Sequence, residues 1–106
     1  MRLGVIPMGA ADGLSRLHAG RVLVRGRSAP IVSGPNLEHT RIDLTGIPDA
    51  QIGDEVVIIG RQGEAEITPA EVATRHGLGL HHVATTVGPR VARVYLSGGR
   101  PVAPPA

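Results

Sequence analysis

Three short stretches of this 106-residue chain carry side chains that can move protons. "GAADG" at residues 9–13 sets Asp12 in a glycine-flanked turn, Glu38 stands beside His39, and His81 stands beside His82. A carboxylate titrating at about 4 and an imidazole at about 6.5 form an acid/base pair suited to neutral pH. Spacing limits which of them can cooperate. Neighbours on a strand point to opposite faces, so one of Glu38 and His39, and one of His81 and His82, can face a given pocket. His39 would share a face with Arg41 and Asp43, as a solvated residue does. Asp12 and Gly13 read as a turn held by an Asx-type hydrogen bond and a permissive φ.

Other chemistries lack their signatures. The five histidines are scattered apart from the adjacent pair, with no i,i+4 pair or ligand triad, and there is no cysteine. A metal site is therefore not expected. Ser15, Ser28, Ser33 and Ser97 sit in no nucleophile elbow, and no glycine-rich phosphate loop is present. All eleven basic residues are arginine. With no lysine, no side chain can form a Schiff base, so no cofactor is expected and pyridoxal phosphate cannot be anchored covalently. A net charge of +2 with interspersed signs, and Tyr95 as the sole aromatic of the Phe/Trp/Tyr class, argue against nucleic acid. No apolar run approaches the roughly 20 residues of a membrane span, and "MRLGVIPMG" is too short and too rich in Gly and Pro for a secretory leader. The sequence thus predicts a cytoplasmic protein.

The elements that must position these residues are short. An apolar content of 42% without Phe or Trp predicts a core of Val, Ile, Leu and Ala, which suits sheets. "RLGVI", "RVLVRG", "APIVSG", "HTRIDLTG", "DEVVIIG", "LHHVATTV" and "RVARVYL" read as strands punctuated by Gly and Pro. Thr40, Ile42 and Leu44 alternate onto one face, and residues 54–60 read as a strand buried on both faces. This predicts a mainly β domain, a small closed antiparallel or Greek-key barrel. One helix is expected over 69–76, with Thr68 as N-cap, Pro69 at its first position, Glu71 completing a capping box, Val72 in the core and Gly77 as its stop. The domain is placed at 1–97, with "GGRPVAPPA" (98–106) as a flexible tail.

From Val5 to Leu96 the chain resembles the C-terminal domain of the alanine racemase family. "PMGAADGLSR" is similar to the family's Pro-x-Gly-Tyr-Ala-Asp-Gly-x-x-Arg segment, and "VLVRGRSAPIV" to the strand-turn-strand after it. "GDEVVIIGRQG", "ITPAEVATRHG" and "GPRVARVYL" match the strand, helix and closing strand that follow, in the same order. The resemblance implies a β-barrel-like domain that caps the cofactor barrel of a partner subunit in a head-to-tail dimer. It also marks departures. Ala10 replaces the catalytic tyrosine, and the barrel that carries the cofactor lysine has no counterpart here. The substrate-pocket segment Ser-Met-Asp-Gln reads Asn36, Leu37, Glu38, His39. The Asn-Tyr-Glu segment, whose tyrosine reaches the cofactor phosphate, reads Leu80, His81, His82.

By that correspondence Glu38 and His81 are the candidate catalytic pair, and Ala10, Asp12, Leu37, His39 and His82 the candidate substrate contacts. Two functions follow. One is a small cofactor-independent acid/base enzyme of isomerase, lyase or cyclase type working in the inherited pocket, and the ionisable residues at two pocket positions favour it. The other is a non-catalytic domain that homodimerises or caps a separately encoded pyridoxal-phosphate barrel. The discriminating feature is whether Glu38 and His81 face one concave pocket or leave a flat apolar surface.

Overall fold

The computed structural model describes residues 1–32, 36–89, 91–97 and 100–102. Strand β1 (Leu3–Ile6) pairs antiparallel with β4 (Thr40–Asp43), Leu3 opposite Asp43 and Ile6 opposite Thr40. Strand β2 (Arg21–Val24) lies between β3 (Arg27–Pro30) and β5 (Val56–Val57). A bridge from Ile31 to Ile42 joins the end of β3 to β4, giving the order β1–β4–β3–β2–β5. Two further hairpins pair β6 (Gly60–Gln62) with β7 (Ala65–Ile67), and β8 (Tyr95–Ser97) with β9 (Arg100–Val102). The fold is mainly β, as expected. Among the described residues the pairings form four sheets, two of them joined by that bridge, and not a closed ring of strands.

Alternation explains why β2 is central. Val22 and Val24 enter one core with Ile6, Leu14, Ile42 and Ile47, while Leu23 enters a second with Leu17, Ile67, Val72 and Val83. At β2's end, Arg25 (φ 51°) and Gly26 (φ 72°) form a two-residue hairpin turn with both φ positive, the geometry that follows strand twist. The Thr40/Ile42 alternation holds, both side chains being buried. Residues 54–60 depart from expectation: not one strand but two pieces form, Val56–Val57 as β5 and Gly60 as the start of β6, and Val56–Ile59 are half-buried because one side of them borders an open groove.

Helix α1 (Pro69–His76) has the expected bounds, with Val72 fully buried. Thr68 Oγ1 accepts the Glu71 N–H at 3.1 Å. The Glu71 carboxylate does not reach back to complete the capping box. It accepts two hydrogen bonds from the Arg21 guanidinium at 3.0 Å each, pinning α1 to β2. "LHHVATTV" forms helix α2 (Leu80–Thr85) and not a strand. Leu80, Val83, Ala84 and Val87 recur at i, i+3, i+4 and i+7, a helical stripe lining one groove. The Thr85 and Thr86 hydroxyls accompany this by donating to the carbonyls of His81 and His82. The segment read as a tail contributes β9, and residues 98, 99 and 103–106 lie outside the described residues.

Candidate functional site

The "GAADG" stretch folds as a 3-10 turn, Ala10–Asp12, that ties three segments together. The Asp12 carboxylate, 2% exposed, accepts the N–H of Gly9 at 3.1 Å, reaching backward where an Asx turn would reach forward. Ala10 and Ala11 donate their N–H groups to the carbonyls of Asn36 and Leu37 at 2.8 and 2.9 Å, and Gly88 donates to the Asp12 carbonyl at 3.0 Å. Gly13 has φ +92°, and a Cβ there would lie 2.2 Å from the Thr86 carbonyl oxygen. The turn thus holds loop 36–39 on one side and residues 86–88 on the other.

Loop 36–39 is closed by the Asn36 N–H on the His39 carbonyl at 2.9 Å. Leu37, Glu38 and His39 are exposed, and they precede β4, which starts at Thr40. The strand alternation expected for Glu38 and His39 therefore does not apply. It also fails for His81 and His82, which sit in the first turn of α2, both exposed, with ring centroids 4.1 Å apart. The structure brings the turn carrying Ala10 and Asp12 against Asn36 and Leu37, through the Ala10 and Ala11 N–H groups, and His81 against His82. The polar and ring contacts of His81 are the His82 ring and the Thr85 hydroxyl on its carbonyl, with none to Glu38 among the described residues.

The concave surface beside α2 is apolar. A groove of about 630 Å³ runs between α2 and residues 55–59, lined by Val56, Ile58, Leu80, Val83, Ala84 and Val87 among others. Among the described residues Glu55 is its one charged lining residue, and neither Glu38 nor His81 lines it. Such a surface favours apolar contact. With no lysine in the sequence, no side chain in it can form a Schiff base with pyridoxal phosphate. Among the described residues no group of three or more His, Cys, Asp or Glu is placed to hold a metal ion, and no helix is long and apolar enough to cross a membrane.

A second histidine pair has no local signature in the sequence. His18 and His76, 58 residues apart, meet edge-to-face with ring centroids 4.9 Å apart. The Gly20 N–H donates to His18 Nδ1 at 2.9 Å, which puts the proton of the neutral ring on Nε2. His76 Nε2 donates to the His18 carbonyl at 2.8 Å. Burial, reinforced by His76 and Arg75, lowers the His18 pKa below 6.5.

The pattern of the family described as alanine racemase, C-terminal domain, matches residues 1–95. The chain belongs to that family. The alanine racemase of Desulfosudis oleivorans is 42% identical over 98 residues, covering 91% of this chain and 25% of the relative. That of Thermodesulfovibrio yellowstonii is 41% identical, covering 89% and 26%. Among solved structures, the Bacillus anthracis alanine racemase with bound L-Ala-P superposes with a TM-score of 0.85 at 33% identity, covering 95% of this chain and 26% of that one. The Pseudomonas aeruginosa biosynthetic enzyme gives 0.76 at 32%, covering 91% and 26%. The chain spans about a quarter of the length of these alanine racemases. Within the alanine racemase C-terminal fold, the turn backbone that carries Ala10 joins residues 36–37 and 88, and the side chain at that position is a methyl group.

Proposed function

We propose that this chain is a docking domain, which packs onto a pyridoxal-phosphate-binding barrel polypeptide of the racemase kind and does not catalyse alone. The observation that carries this reading is the groove of about 630 Å³ between α2 and residues 55–59, apolar apart from Glu55 among the described residues. Contiguous apolar surface left open to solvent marks interaction sites. The relatives support the choice of partner, since about three quarters of their length lies outside the matched segment. An acid/base enzyme built on Glu38 and His81 has less support, because neither residue lines that groove. The barrel supplies the cofactor and its lysine. This chain supplies a wall that excludes water, and at Ala10 it brings no proton to the reacting centre.

Sedimentation velocity tests the reading. The probe is the Thermodesulfovibrio yellowstonii alanine racemase with its matching segment deleted. The proposal expects a stoichiometric complex at about 10 μM of each chain, the range in which interfaces of ordinary size hold. Two independently sedimenting species at about 100 μM would overturn it.

A further inference from the structure

A second groove, of about 680 Å³, lies on another part of the molecule and follows a sheet edge. Consecutive residues line both its walls: Arg2–Pro7 along β1 on one side, and Ala50–Asp54 with Val56 on the other. A groove on the face of a sheet is lined by every second residue; one lined by all of them runs along a backbone edge. That edge is open, because β1 pairs with β4 alone and β5 with β2 alone among the described residues. The Leu44 N–H donates to the Arg2 carbonyl at 2.7 Å, so with this register Arg2, Gly4 and Ile6 turn their backbone groups toward β4. The backbone groups of Leu3 and Val5 therefore point into the groove. Its floor is the core side of Ile6, Val24 and Ile42. The Arg2 guanidinium ties the two walls by donating to the Ala50 carbonyl at 2.5 Å, and it also donates to the carbonyls of Ile47 and Pro48 just before that wall, at 3.0 and 2.7 Å.

We infer that this gap is a docking slot for one extended strand from a polypeptide segment outside this chain. The strand pairs with Leu3 and Val5 and lays alternate apolar side chains over Ile6, Val24 and Ile42. Its depth fits: at a rise of about 3.3 Å, a strand spacing of about 4.8 Å and a layer spacing of about 10 Å, a strand residue takes roughly 160 Å³. The groove of about 680 Å³ then holds about four residues, the length of β1. The backbone donors and acceptors along the wall call for a partner with its own at strand spacing, which an acyl chain or aromatic ligand lacks. The second wall excludes the sheet edge of another folded copy, since that edge carries its β4 beside its β1. The relatives, with about three quarters of their length outside the matched segment, show how much further chain can accompany this domain. The inference is independent of the proposed barrel partner, which uses the groove beside α2.

The test is amide exchange by NMR on the full chain, with a capped seven-residue peptide alternating valine and threonine as probe. The slot predicts saturable slowing of the Leu3 and Val5 amides by about tenfold or more at millimolar peptide. Val5→Pro deletes one docking N–H that β4 does not use, so it should leave the melting temperature near wild type and weaken peptide binding by about tenfold. Ile52→Asp, at a fully exposed position on the rim, should weaken binding similarly without touching the core. Three results would overturn the inference: no slowing at millimolar peptide, equal slowing by the same peptide N-methylated on alternate amides, or slowing without peptide that grows with protein concentration. The last would assign the edge to a second copy.

Discussion

At the scale of single residues, Ala10 and His18 make opposite kinds of statement. Ala10 donates its backbone N–H within the turn, and its methyl side chain has no proton to give. In the proposed complex, Ala10→Tyr should therefore raise racemisation by about a hundredfold, the usual worth of a placed acid/base group, while leaving assembly intact. An unchanged rate in a stopped assay of D- and L-alanine would show that the methyl group is not the deficit. Glu38→Gln and His81→Asn should leave assembly unchanged; losing it would place those exposed residues in the interface. His18 predicts pH dependence. Its folded pKa lies below 6.5, so the unfolded chain binds the extra proton first as pH falls. Stability is then full above about 6.5, declines below it, and levels off once the folded ring protonates. His18→Gln should flatten that decline in urea titrations between pH 7 and 5. An unaltered slope would mean that the buried ring is not its source.

At the scale of elements, helix α1 was legible because its caps are local. Thr68, Pro69 and Gly77 act within a few residues of one another, and Thr68→Ala should cost about 1 kcal/mol in chemical denaturation. Glu71 was misread since Arg21, 50 residues away, competes for its carboxylate. Helix α2 was misread for the opposite reason. Its run of Val and Thr has the look of a strand, and the stripe of Leu80, Val83, Ala84 and Val87 outweighs it only once the groove wall is in view. That error carried the histidines with it: His81 and His82 were assigned to opposite faces of a strand and lie together on one helical turn. The Asp12 turn was legible as a turn, but not as the joint between residues 36–38 and 86–88. Gly13→Ala tests that joint. Its Cβ would strike the Thr86 carbonyl and its φ is left-handed, so a loss of at least about 2 kcal/mol is expected by thermal melting. A wild-type melting curve would show that the joint carries little.

At the scale of the whole molecule, the resemblance to the racemase domain gave the fold, because turns and strands follow one another in the matched order over residues 1–95. The site was less legible. Whether Glu38 and His81 converge depends on how loop 36–39 and α2 are placed, which neither motif encodes. With an apolar groove open to solvent, the chain alone should self-associate as a two-fold dimer at high micromolar concentration, and a concentration-independent monomer mass by light scattering would count against this. Addition of the barrel polypeptide should compete with that dimer for the same face. The central claim is that this face, between α2 and residues 55–59, is where the partner sits. Hydrogen–deuterium exchange on the chain with and without the truncated Thermodesulfovibrio yellowstonii racemase measures it most directly. The account predicts slowed exchange concentrated in residues 55–59 and 80–87; binding with no slowing in either segment, or no binding at all, would contradict it.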